Sequence, residues 1–271
     1  MDADIEEMIA RWTLPEDGPL LDRIERMIEP TLWSGVFTQS TTRVCGLQYH
    51  LGGAQDTAEL AELAGVTARD RVLDVCCFLG GPAVQLASTV GCRVTGIDIN
   101  EQVIAAARRI AQLSGLAPLL QFLVADARRM PLANGQFTVV WSQCSVSHDD
   151  AWFSEFDRVL RSGGRLAITF ETRLPPDPWS LPAIAERIAT LGYTITCADD
   201  LTARDIEIGW RALDAKLTAR EPEYQAALGA EWVADAHRKF MDEIRRMQAG
   251  EWGNGRIVAW KGKRLIGGFT E

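Results

Sequence analysis

No apolar run in the 271-residue chain approaches the roughly 20 residues that a bilayer-spanning helix needs, so a membrane partner is not expected. The opening residues, Met1-Asp-Ala-Asp-Ile-Glu-Glu7, lack the basic and apolar layout of a secretory leader. A basic excess is missing too: 28 Lys and Arg stand against 37 Asp and Glu, a net charge of −9. Such a chain repels phosphate backbones, which argues against nucleic acid as a partner. None of the six cysteines forms a Cys-x-x-Cys pair, so reduced thiols in a cytoplasmic protein are expected, and no metal site is assigned. Internal repeats and low-complexity linkers are absent as well. What is present, 47% hydrophobic and 24% charged residues, suits a chain that buries a core as one large domain or two small ones.

The chain is organised around Val72-Leu-Asp-Val-Cys-Cys-Phe-Leu-Gly-Gly-Pro82. Val72 to Val75 reads as a buried strand and Cys76 to Gly81 as a tight turn. Pro82 then opens a helix with Ala83, Leu86, Ala87 and Val90 on its apolar side. Proline suits a first helical position, where an N–H would go unpaired. In open α/β sheets such a turn sits at the carboxyl end of a strand, where small ligands bind, and the helix start offers free N–H groups.

Before this stretch, apolar spacing predicts two short helices within 1–30, broken near Pro15, then an irregular segment over 31–53 and a helix from about Asp56 to Ala64. After it, strands are predicted at Arg93–Asp98, Phe122–Asp126, Phe137–Ser142, Arg165–Phe170, Tyr193–Cys197 and Arg256–Lys261. Helices are predicted between the earlier of these strands and across 203–250. Alternation of this kind implies an α/β fold, a Rossmann-like, doubly wound, mostly parallel sheet. The expected division is an N-terminal helical cap segment over 1–64, the core over 65–200, a helical cap insertion over 201–252, and a last core strand and tail over 253–271. The caps are expected to cover the carboxyl edge of the sheet.

Three acids end three successive strands or turns: Asp74, Asp98 and Asp126. Asp98 stands near the distance beyond the glycines at which a nucleotide fold places a carboxylate on ribose hydroxyls. Each acid also has a plainer reading: Asp74 capping a turn or pairing with Arg71, Asp98 as a helix N-cap, Asp126 bonding its own loop.

The turn and the acids together resemble motif I and its companions in the class I S-adenosylmethionine (SAM)-dependent methyltransferases, whose pattern is Asp-x-Gly-x-Gly-x-Gly. Asp74 and Gly80 match it; Cys76 and Phe78 stand where glycines are usual. His50-Leu-Gly-Gly53 and the stretch from Met130 to Gln143 resemble the sarcosine/dimethylglycine and phosphoethanolamine N-methyltransferase type, and Phe156 to Leu166 matches the general post-motif of helix, arginine, two glycines and strand. The resemblance implies SAM as cofactor, held by Asp74, Cys76, Phe78, Gly80, Gly81, Asp98, Ile99, Asp126, Ala127 and Gln143. Asp126 would accept from the adenine amino group. It also implies that Gln143, in the loop after the fourth strand, lies beside the methionine part. His148 would face the acceptor as general base, its ordinary pKa being near neutrality.

Two departures bear on function. Phe78 either fills volume used by the methionine tail or turns aside to line the pocket. Cys144 occupies a position that is often acidic in the amine-methylating relatives, so a cationic acceptor loses a counter-charge there. Cys45, Cys76 or Cys77, and Cys144 are also candidates to share one cavity, although unpaired cysteines commonly serve as small buried fillers. The expected function is SAM-dependent methyl transfer to a small soluble acceptor, most simply an amine. The alternatives are different Cys/His-assisted chemistry on the same fold, or SAM binding without turnover. The oligomeric state is left open.

Overall fold

A computed structural model of the protein describes residues 7–33, 39–146, 149–262, 265–266 and 269–270. Seven strands make one sheet: β1 (Arg71–Val75), β2 (Arg93–Asp98), β3 (Leu120–Val124), β4 (Phe137–Gln143), β5 (Leu160–Thr172), β6 (Tyr193–Asp200) and β7 (Gly253–Lys261). Their order is β3-β2-β1-β4-β5-β7-β6. The first five are mutually parallel, and β7 runs antiparallel between β5 and β6. This is the doubly wound, mostly parallel sheet expected from the alternation. Its order reverses at β1, which pairs with β2 on one side and β4 on the other; in such sheets the ligand crevice lies at that switch point.

Side-chain alternation explains why both faces are covered. Val72, Val94, Val139 and Trp141 enter one apolar cluster with the helices Gly53–Leu63, Gly81–Thr89 and Glu101–Leu113. Leu73, Val75, Ile97 and Val140 enter the other with the helices Asp150–Val159 and Leu181–Thr190. Successive strand residues point to opposite faces, so strands apolar throughout need two partners. Proline begins the helix Gly81–Thr89, and the Asn100 side chain caps Glu101–Leu113 by accepting from the N–H groups of Gln102 and Val103.

The helix Leu20–Trp33 buries Ile24, Met27, Ile28 and Leu32 in the first cluster, against Leu60 and Ala83. It therefore packs beside the sheet face. Between β6 and β7 the chain is helical from Thr202 to Gln248, including a π-helical turn at Ile206–Arg211. The helix Ala230–Gln248 buries Val233, Ala236, Phe240, Ile244 and Met247, a one-sided helical spacing. That stripe joins Trp210, Leu217 and Tyr224 in a third cluster with Val44 and Leu51.

Two expectations need correction. The segment 31–53 is not wholly irregular: Ser40–Cys45 is a helix, formed where Val44 meets the third cluster, a contact its Ser/Thr-rich sequence does not announce. The third strand is Leu120–Val124 rather than Phe122–Asp126. Asp126 thus lies two residues beyond the strand, in a tight bridge with Arg129.

Candidate functional site

β1 delivers Asp74 to the carboxyl end of the sheet, and the turn beyond it keeps an unusual backbone. Cys76 has φ 58° and Phe78 φ 49°, the left-handed region that glycines would occupy freely. With Cys144 (φ 54°), these are the described non-glycine residues that adopt it. Each costs roughly 1–2 kcal/mol relative to an ordinary conformation, and such outliers gather at functional sites. The turn therefore retains the conformation of the glycine pattern while carrying side chains. The Phe78 ring lies against Tyr49, with ring centroids 5.0 Å apart. Gly81 cannot be replaced so easily: a Cβ there would sit 2.2 Å from the Leu47 carbonyl oxygen.

Beside the turn lies a cleft of about 270 Å³ lined by Cys76, Asp98, Ile99, Asp126, Ala127 and Trp152, among others. Five of these were singled out from the sequence. Ile99 is 68% exposed, an apolar surface open to a flat ligand. Asp98 already holds the protein together: its Oδ2 accepts from the Phe78 N–H (3.1 Å) and its Oδ1 from the Asn100 N–H (3.0 Å). Asp98 is thus not itself the helix cap, which is Asn100. Asp126 accepts from both the backbone and the guanidinium of Arg128, which hold its carboxyl down at about 2. Asp74 is fully buried and its Oδ2 has no hydrogen-bond partner; it does not pair with Arg71.

Gln143 differs from expectation. It is the last residue of β4, not a loop residue, and its amide is occupied inward. Its Nε2 donates to Asp56 Oδ2 at 2.6 Å, and its Oε1 accepts from Thr57 Oγ1 and Trp141 Nε1. Asp56 in turn accepts from Arg204 Nη1 at 3.0 Å, and Arg204 also reaches Glu59 and Asp205. Asn254 Nδ2 donates to Asp205. This buried hub joins the segment before β1, the end of β4, the start of the 201–252 insertion and the start of β7. Burial pushes the Asp205 carboxyl up to about 6, against the pull of Asn254 and Arg204.

Above the hub is a second cavity of about 310 Å³, walled by Tyr49, Cys144, Glu171, Trp210, Trp252 and Asn254, with Cys45 and His50 also contributing. Cys45 and Cys144 share this cavity, Cys76 belongs to the other cleft, and Cys77 is buried. His50 is not placed to take a proton from a ligand. Its Nδ1 faces the Leu51 carbonyl at 3.2 Å, its Nε2 faces Gln48 and Thr57, and burial lowers its pKa. His148 lies outside the described residues. Glu171, Arg204 and Asp205 carry weight here that no sequence pattern assigned to them.

Asp74 yields a pH prediction. Burial, with the Asp98 charge, pushes its carboxyl up to about 8. An unfolded aspartate loses its proton near 3.9. Between these values the folded chain holds a proton that the unfolded chain does not. The associated stability is complete below about pH 4 and is lost as pH rises through about 8. Asp74→Asn is neutral throughout. Urea titrations at pH 5 and 8 should show the parent losing stability relative to this variant, by at most about 1.4 kcal/mol per pH unit. A constant difference between the two proteins would remove the assignment.

Comparison with known proteins agrees with this layout. Residues 72–164 match the methyltransferase domain family. The chain is 37% identical over 148 residues to a 27-O-demethylrifamycin SV methyltransferase of Amycolatopsis mediterranei, covering 54% of each. Its fold resembles a Haemonchus contortus phosphoethanolamine N-methyltransferase 2 solved with phosphomonomethylethanolamine and S-adenosylhomocysteine (SAH). The TM-score there is 0.75 at 19% identity, over 92% of this chain and 61% of that one. It also resembles the [4+2]-cyclase SpnF, with a TM-score of 0.68 at 21% identity, over 93% and 99%. The chain spans about half the length of the curated relatives it matches.

Proposed function

We propose that the protein transfers a methyl group from SAM to a small acceptor, most simply an amine, in the cytoplasm. The observation that carries this reading is the gathering of Cys76, Asp98, Ile99, Asp126 and Ala127 in one cleft at the switch point, beside a glycine-like turn. The residues fit the cofactor. Asp98 keeps lone pairs for ribose hydroxyls, Ile99 offers an apolar face to adenine, and Asp126 stands at the rim for the adenine amino group. Asp74 Oδ2, buried and unpartnered, is an orphan that a polar group of the cofactor would satisfy. Bound SAM would supply an already activated methyl group. The chain's work is then to orient the acceptor and exclude water.

In this reading the cap segments, 1–64 and 201–252, bound the acceptor cavity, and the core comprises 65–200 with 253–271. Gln143 acts by fixing the end of β4, and His148 stands as general base on sequence grounds alone. Isothermal titration with SAM and SAH tests the proposal: both should bind with one site per chain, and Asp74→Asn should weaken them. Absence of binding would favour the second reading, other chemistry on this fold. That reading draws support from the [4+2]-cyclase among the structural neighbours, since one fold hosts unrelated reactions.

A further inference from the structure

Among the described residues that line the cavity over the hub, Glu171 carries the one full charge, and that charge is negative. It lies near the end of β5, while Cys144, directly after β4, presents a thiol at the position that the resemblance gives as often acidic. Aromatic rings line the same cavity. The rings of Trp210 and Trp252 stand nearly perpendicular, at 88°, with centroids 6.3 Å apart, and Tyr49 joins them in the lining. A carboxylate and indole rings lining one cavity are the chemical complement of a cation: the rings attract positive charge through their faces, and the carboxylate by Coulomb's law.

The floor has the same sign. Asp56, Glu59, Asp199 and Asp205 surround the two guanidiniums of Arg204 and Arg256. Cys144 is exposed in the cavity; the surrounding protein and then the charges of Asp205 and Asp56 raise its thiol's pKa, so their field reaches the cavity wall. The neighbouring cations are accounted for. Arg173 pairs with Glu171 in a half-exposed ion pair, the kind that contributes little, so a cationic ligand competes with that guanidinium for the carboxylate. Lys216 lines the adjoining cavity and donates to the Val44 carbonyl; its charge also reaches Cys45 in this cavity's wall, where Glu25 opposes it.

We infer that Glu171 is a specificity-determining residue that supplies, from β5, the counter-charge missing at Cys144. It selects a small ammonium-bearing acceptor and rejects phosphorylated ones. The inference rests on the methyl-transfer reading above, and its test separates the two. Three probes that share one phenylethyl body are titrated into the SAH-bound protein: 2-phenylethylamine, 2-phenylethanol and 2-phenylethyl phosphate. The amine should bind at least about tenfold more tightly than the alcohol, and the phosphate most weakly. This corresponds to about 1.4 kcal/mol of charge discrimination. Glu171→Gln should erase the preference of amine over alcohol and leave SAH affinity unchanged. A preference for the alcohol or the phosphate, no binding of the amine, or an amine preference that survives Glu171→Gln would each overturn the assignment. Failure to bind SAH would instead strike the methyl-transfer reading, and Glu171→Gln can still be compared with the parent on the unliganded protein using the same three probes.

Discussion

Asp98→Ala should bind SAM at least about 10²-fold more weakly than the parent. Two hydrogen bonds from ribose hydroxyls to a charged acceptor are worth roughly 1.5–3 kcal/mol each, and about 3 kcal/mol corresponds to a factor above 100. The structure adds a second consequence. The same carboxylate accepts from the N–H groups of Phe78 and Asn100, so the alanine variant also loosens the turn and the start of the following helix. Asp98→Asn separates these effects. Its remaining carbonyl oxygen can hold one backbone N–H, so it should regain part of the stability yet still bind SAM poorly. Calorimetry and denaturant titration on both variants give the result. Parent-like SAM affinity in Asp98→Ala would detach this acid from the cofactor.

The largest loss of stability is expected for Asp56→Ala. Asp56 is only 1% exposed and ties Gln143 to Arg204. Its removal leaves a buried amide and a guanidinium short of a partner, and breaking a buried pair of this kind costs about 3–5 kcal/mol. Arg204 keeps Glu59 and Asp205, so the lower end of that range is expected. Amide exchange should show the helices from 202 onward losing protection before the sheet, because Arg204 is one of their ties to the rest of the fold, beside the Asn254–Asp205 bond and the third cluster. In a double-mutant cycle, Asp56→Ala and Arg204→Met should couple. A variant as stable as the parent, with unchanged exchange over 202–248, would show that the hub holds nothing in place.

The parts of this molecule that were legible in its sequence are the local ones. The strand, turn and helix of 72–82 announce themselves because apolar continuity, a glycine pair and Pro82 are neighbours along the chain. Asp98 follows from spacing and Ile99 from the family resemblance, and the cleft does assemble them with Asp126 and Ala127. Gln143 was misjudged because its partners, Asp56 and Thr57, stand 87 and 86 positions away. No periodic pattern encodes a side-chain network of that reach. Arg204 and Glu171 escape notice for the same reason: an arginine in a charged helix and a glutamate at a strand end look like solvated surface until the fold sets the first in the hub and the second on a cavity wall. The helix Ser40–Cys45 exists because tertiary burial overrides a weak local preference.

The position of β7 has a consequence for the order of assembly. It lies between β5 and β6, yet follows both in the chain, and everything from Thr202 to Gln248 is threaded through before it arrives. During synthesis, β1 to β5 can pair as each emerges. β6 leaves the ribosome with no strand beside it, and the edge of β5 stays open. The last strand must enter a slot between two waiting neighbours, closing a loop of some fifty residues as it does so, and non-local pairing of this kind is slow. A nascent chain stalled before Gly253 therefore presents two unpaired strand edges at once, a form prone to pair with other chains. The same stretch between β6 and β7 that brings Trp210 and Trp252 to a cavity wall thus makes completion of the sheet wait for β7.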